Sequence, residues 1–163
     1  APASSLVQVT ANRGPINRSI YDFENGSTNG WENWNSNWVV QVTDAPRGGK
    51  CLRIDFTKTH GWNYIPMTVD PEMVSIHRYI TLKVKGRVTL LGKLWCSDDL
   101  QQDMEVQSVN SDTEWTTLKF DTRRADKILP GRDRVEKVLF FPEPGEWSGG
   151  GTFYIDDVQY SGK

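Results

Sequence analysis

Seven tryptophans in a chain of 163 residues, against two histidines and two cysteines, frame the chemistry open to this protein. An indole is a large amphipathic plane whose N–H needs a partner when buried. One or two would serve the core of a domain this size, so the surplus asks for another use. On an open surface, indoles stack on the C–H faces of sugar rings while nearby amides and carboxylates meet the hydroxyls. The carboxylates offer two further chemistries. Asp103 and Glu105 are two positions apart, about 7 Å along a strand, a spacing open to an acid/base pair as well as to hydroxyl recognition. Asp22, Glu24, Asp156 and Asp157 stand toward the two ends of the chain, and such hard oxygen donors suit Ca²⁺. His60 and His77 are isolated and Cys51 and Cys96 form no CxxC, which argues against zinc and thioredoxin-type chemistry. The two thiols either pair across the fold or stay buried and free. No GxSxG, HExxH, P-loop or GxGxxG is present.

The elements that must position these groups are strands. Short alternating runs recur between Gly, Pro, Asn and Asp clusters, the pattern of an all-β sandwich or barrel. Trp38–Thr43 reads as a strand, with Trp38 on the side of Val40 and Val42. Leu52–Phe56 and Tyr79–Lys85 alternate cleanly. Val88–Cys96 and Gln102–Val109 read as a hairpin with Leu90, Leu94, Met104 and Val106 inward. Period-2 geometry then puts Lys93, Trp95, Asp103, Glu105 and Gln107 on the opposite face. A shift of one residue would instead bury Trp95 and expose Leu94. Trp115–Phe120, Val135–Phe141 and Thr152–Tyr160 complete the set. Pro71–Ser75 and Arg123–Ile128 suggest single helical turns. The expected architecture is a two-sheet antiparallel β-sandwich, a jelly roll.

Composition narrows the class. With 19 Lys+Arg against 21 Asp+Glu, the net charge of −2 argues against a phosphate-binding surface and hence a nucleic-acid partner. No apolar run approaches the roughly 20 residues of a membrane span. Ala1–Ser5 lacks the basic and apolar regions of a signal peptide and reads as a linker remnant or processed end. We expect residues 1–19 to be linker or N-terminal strand, 20–161 one β-sandwich domain, and 162–163 the start of a linker.

Four segments in order resemble a known type of domain. Tyr21-Asp-Phe-Glu-Asn-Gly-Ser-Thr-Asn-Gly-Trp31, Gly49–Asp55, Glu114–Leu118 and Thr152-Phe-Tyr-Ile-Asp-Asp-Val158 are similar to the opening, inner and closing strands of jelly-roll carbohydrate-binding modules, families four, sixteen and twenty-two among them. The resemblance spans about residues 20–160. It implies a non-catalytic, secreted domain that tethers an enzyme, such as a glycoside hydrolase, to polysaccharide. Similar modules hold a structural Ca²⁺ with the Glu of the "FE" pair and an Asp of the "DD" pair. That implies Glu24, Asp156 and a backbone carbonyl near Lys50, with Asp22 or Asp157 as a further ligand.

The expected sugar site joins the residues and the resemblance. Lys93, Trp95, Glu105 and Gln107 form its floor. Trp31, in the Trp/Asn tract Gly30–Trp38, and Trp147, in the Gly/Pro loop 142–151, flank it as in similar modules. Trp62, with Tyr64, could line the same cleft. Trp31 and Trp147 could each instead fold over the sandwich edge. Trp34 has no placement, and Trp115 matches a position that is structural in the resemblance. The ligand would be a β-linked glucan, mannan or xylan, bound by a monomer attached to a catalytic domain. Two other readings stand beside this one: a small jelly-roll lyase or hydrolase using Lys93 and Glu105, and a structural or adhesion sandwich.

Overall fold

The structure is a computed structural model and describes residues 18–28, 30–32, 38–46, 48–56, 64–96, 101–125, 134–142 and 151–162. Eight strands follow in chain order: β1 (Arg18–Tyr21), β2 (Trp38–Asp44), β3 (Lys50–Phe56), β4 (Ile65–Thr68), β5 (Tyr79–Cys96), β6 (Gln101–Asp121), β7 (Val135–Pro142) and β8 (Gly151–Ser161). Every pairing is antiparallel. The fold is all-β, as expected. A short helix, α1 (Pro71–Ile76), starts where Asp70 Oδ1 accepts the Glu72 N–H at 3.0 Å and Pro71 supplies the first turn. A 3₁₀ turn at Thr122–Ala125 occupies part of the second expected turn.

The hydrogen-bonded order is β2-β3-β8-β5-β7-β4, with β1 added to β8 and β6 to β5. This single ladder folds into two layers because β5 serves both. Its first half (79–85) pairs with β8 and its second half (90–96) pairs with β7. We call the two parts the β8 layer and the β7 layer. β6 follows β5 along nearly its whole length, from Tyr79↔Asp121 to Trp95↔Gln101. The sequence divides each of these long strands in two, since the polar breaks at Gly86 and Asn110–Asp112 resemble turns; they are where the ribbon bends. β4 was not anticipated, because Ile65-Pro-Met-Thr68 shows no alternation. It is buried on both sides of its pleat over its first three residues, so its pattern is continuous rather than period-2.

The core lies between the layers. Leu52, Ile54, Phe153 and Ile155 from one side meet Ile65, Met67, Val138 and Phe140 from the other. Phe120 reaches across to Phe140, ring centroids 5.6 Å apart and edge to face. A Cβ on Gly92 would lie 2.8 Å from the Phe120 ring, so this close approach admits glycine alone.

The bend has its own requirement. Gly86 sits at φ +129°, and a Cβ there would stand 2.9 Å from Phe153 Cβ and 3.1 Å from its Cα. Both the backbone angle and the packing refuse a side chain. Gly86→Ala is expected to lower stability by about 1–3 kcal/mol. Urea denaturation should show an earlier midpoint with an unchanged slope; an unchanged midpoint would show that the bend does not need glycine.

Candidate functional site

The outer face of the β7 layer carries the expected centre. Trp95 alternates with the buried Leu94 and Cys96, so its indole faces outward and is partly exposed. Its register neighbours are Gln101 on β6 and Lys137 on β7. Lys93 lies one pleat along, opposite Asp103 and Leu139. Its ammonium is 3.3 Å from the Asp103 carboxylate and 5.0 Å from the centroid of the Phe141 ring. Phe141 in turn meets Tyr64, centroids 4.9 Å apart. Lys137 Nζ donates to Glu32 Oε2 at 3.0 Å and to Thr68 Oγ1 at 3.4 Å. The face therefore carries a partly exposed indole beside two anchored ion pairs, with the Phe141 ring buried beneath Lys93 and Tyr64, and Leu139 buried next to it. Rigid strands hold every one of these groups except Tyr64 and Glu32, which flank β4 in space.

Glu105 and Gln107 are not part of that face. Between Leu91 and Lys93 the partner positions on β6 run from Val106 to Asp103, three steps against two. This bulge reverses the alternation of β6. Val106, expected in the core, is 53% exposed instead. Gln107 falls opposite the buried Leu90. Its Nε2 donates to the Lys119 carbonyl at 2.6 Å and its Oε1 accepts the Lys119 N–H at 3.2 Å. Glu105 Oε1 accepts the Asp121 N–H at 3.0 Å. Both side chains bridge the two halves of β6 where the sandwich would otherwise leave an open backbone edge. Asp103, expected on this face, pairs with Lys93, and Lys137, which the sequence did not single out, takes its place beside Trp95.

Trp31 is a core residue, 5% exposed. Its neighbours explain this. The Thr68 N–H donates to the Gly30 carbonyl at 2.6 Å and the Glu32 N–H to the Pro66 carbonyl at 3.1 Å. The segment thus extends the sheet beyond β4, with Trp31 bridging Met67. Glu32 then points to Lys137 and Trp31 points inward. Its ring stacks on Phe140 at 5.8 Å and meets Tyr21 edge-on at 6.1 Å. Its Nε1 is buried and has no hydrogen-bond partner among the described residues. The structure thus overturns the expectation that Trp31 stacks on a ligand. Trp62 and Trp147, the other expected flanks, lie outside the described residues, as does Trp34.

Of the carboxylates toward the chain ends, Glu24 and Asp156 are near enough to feel each other's charge. Glu24 Oε1 accepts the Lys50 N–H at 3.0 Å, which holds it beside the start of β3. Asp22 Oδ1 caps the Glu24 N–H at 3.2 Å. Asp156 Oδ1 accepts the Asp157 N–H at 2.8 Å, and Asp157 pairs with Lys83 at 2.9 Å. Burial pushes the Asp156 carboxyl up to about 6; the Asp157 N–H opposes this, while the charges of Asp157 and Glu24 add to it. Phe23 and Asp157 both adopt left-handed backbone, φ +64° and +46°, rare for such residues and concentrated at this spot. Among the described residues no three His, Cys, Asp or Glu side chains are gathered to hold a metal. An ion here would draw on two carboxylates and on backbone carbonyls. Cys51 and Cys96 are both buried and are not joined in a disulfide.

No protein-family model matches the chain, and neither does any curated protein. Solved structures do. A family 11 carbohydrate-binding module from Clostridium thermocellum, in complex with a β-1,3-1,4-mixed-linked tetrasaccharide, is 16% identical, with 90% of this chain and 95% of that chain covered and a TM-score of 0.59. A family 28 module specific for non-crystalline cellulose is 15% identical, covering 90% and 93%, with a TM-score of 0.62. A family 29 module complexed with mannohexaose is 16% identical, covering 91% and 92%, also at 0.62. The chain therefore has the fold of the carbohydrate-binding modules of families 11, 28 and 29.

Proposed function

We propose that this domain is a non-catalytic polysaccharide-binding module whose ligand lies across the outer face of the β7 layer. The observation that carries the reading is the outward Trp95, set in line with the Lys93–Asp103 and Lys137–Glu32 ion pairs on a rigid sheet. The indole supplies a stacking plane. The paired charges supply fixed donors and acceptors, and charge-assisted hydrogen bonds are the stronger kind. The ligands of the modules with this fold, a mixed-linked glucan oligosaccharide, cellulose and mannohexaose, support a β-linked glucan or mannan; a xylan remains in the same class. Glu105, the carboxylate an enzymatic cleft would use with Lys93, is committed to the Asp121 N–H, which favours binding over catalysis. In this reading the domain is monomeric and secreted, and it raises the effective concentration of an attached enzyme at its substrate. Affinity electrophoresis through gels of mixed-linked glucan, mannan and xylan tests it. Retardation in at least one gel, with no release of reducing ends, is expected; free migration in all would refute it.

We further propose a structural Ca²⁺ held by Glu24, Asp156 and the Lys50 carbonyl, with Asp157 or Asp22 as a further ligand. The donor set fits, since like charges crowd a half-buried Asp156 and hard oxygens suit this ion. Bound there, the ion would neutralise that repulsion and join the first strand region to the last. With chelator present, Asp156 titrates near 6 in the folded chain against about 3.9 unfolded. The folded state then holds the extra proton between these values, so metal-free stability should fall as pH rises from about 4 to 6. Added Ca²⁺ should raise the melting temperature at pH 7 more than at pH 5. Asp156→Asn should abolish the Ca²⁺ response without lowering the metal-free melting temperature. A Ca²⁺ response surviving in that variant would place the ion elsewhere.

A further inference from the structure

The outer face of the β8 layer has a groove of its own. It encloses about 320 Å³ and is lined by Lys83, Trp115, Thr117, Asp156 and Asp157. Its floor is a row across three strands: Thr117 on β6, Lys83 on β5 and Asp156 on β8 are register partners. Trp115 stands two residues from Thr117 on the same strand and forms the wall. Lys85 is outside the lining, yet its ammonium lies 5.5 Å from the Trp115 centroid and 5.1 Å from that of Tyr154. It steadies the indole without filling the groove. Lys83 is fixed by Asp157 at 2.9 Å.

The size is at the lower end of small-ligand sites, roughly 300–1,000 Å³. The lining combines one aromatic plane with a hydroxyl, an ammonium and carboxylate oxygens. That is the complement of one ring bearing C–H faces and hydroxyls. Two carboxylates against one ammonium disfavour an anionic occupant. We propose that this groove is a second carbohydrate site, taking one pyranose unit of a neutral glycan with its ring on Trp115 and its hydroxyls on Thr117 and the Lys83–Asp157 pair. Asp156 is shared with the proposed ion, whose further ligand in this arrangement is Asp22 and not Asp157, so the sugar contacts are drawn from the Trp115 end. The site lies on the opposite layer from Trp95, so one short chain cannot fill both. The domain would instead join two polysaccharide chains, and the second contact would gain from effective concentration. The Trp95 face need not bind for this groove to do so.

Calorimetric titration with cellohexaose, mannohexaose, xylohexaose and oligogalacturonate, all with chelator present so that the groove carries its own charges alone, tests the proposal. The parent should bind a neutral hexasaccharide at two sites per chain. Trp115→Ala and Thr117→Phe should each lose one site, with affinity there falling at least tenfold. Thr117 is exposed, so Thr117→Phe blocks the groove in a folded protein even where Trp115→Ala disturbs packing. Turbidity with soluble mixed-linked glucan should vanish in both variants. Loss of all binding in Trp95→Ala, with Trp115→Ala and Thr117→Phe unchanged from the parent, overturns this proposal and leaves the Trp95 face standing. Loss in the groove variants alone sustains it and refutes the Trp95 face. Binding of the oligogalacturonate alone at the groove, or of no probe at all, overturns it.

Discussion

Trp31→Ala is expected to cost about 3–5 kcal/mol of stability, the range for truncating a large buried aromatic. The ring is enclosed by Phe140, Tyr21 and Phe23. Removing it leaves a cavity under the segment that extends the sheet past β4. Thermal and urea unfolding of parent and variant measure the loss. Trp31→Phe sharpens the test. It keeps an aromatic plane against Phe140 and removes the buried, unpartnered Nε1, an unmade hydrogen bond that costs about 1–3 kcal/mol. Its loss should therefore be well below that of the alanine variant. A Trp31→Ala protein as stable as the parent, but deficient in polysaccharide binding, would return Trp31 to the ligand site and contradict its burial.

Trp95→Ala should show the opposite profile. Its binding to the best polysaccharide should fall by about 2 kcal/mol or more, as for a hot-spot aromatic, which is roughly thirtyfold in affinity. Its melting temperature should stay close to that of the parent, because the outward indole contributes little to the core. Lys93→Ala is the companion. It leaves Asp103 without its ion-pair partner and uncovers the Phe141 ring, so it should weaken binding less than Trp95→Ala does. Glu105→Gln should leave affinity unchanged, since that side chain faces the backbone of β6 rather than ligand. Titration of the three variants against the same polysaccharide, with melting curves alongside, decides the matter. Equal affinity in Trp95→Ala and parent would remove the β7 face from consideration. Unfolding of Trp95→Ala would mean that the indole packs inward.

The two tryptophans show where sequence and tertiary structure divide. Alternation determined Trp95: with Leu94 and Cys96 apolar on either side, period-2 geometry left one face for it, and no distant residue changes that. The same local rule determined the inward Leu52, Ile54, Phe56, Ile80, Leu82 and Val84, and with them the all-β class. Trp31 was decided elsewhere. Its orientation follows from backbone bonds between Gly30, Glu32 and β4, made by a strand that shows no alternation of its own. Glu105 and Gln107 depended on a bulge opposite Gly92 and on the second half of β6 folding back over the first. A bulge inserts one residue into the pairing without marking it in the composition, and it sends every later side chain to the other face. Lys137 became a neighbour of Trp95 only because β5 pairs with β7, whereas the hairpin pattern had already set Asp103 on that face. The second groove arises in the same way, from Trp115, Lys83 and Asp156 on three strands far apart in the chain. Local pattern determines which face of its own strand a side chain takes; long-range pairing decides which other side chains share that face, because register is a contact between strands and not a property of either one.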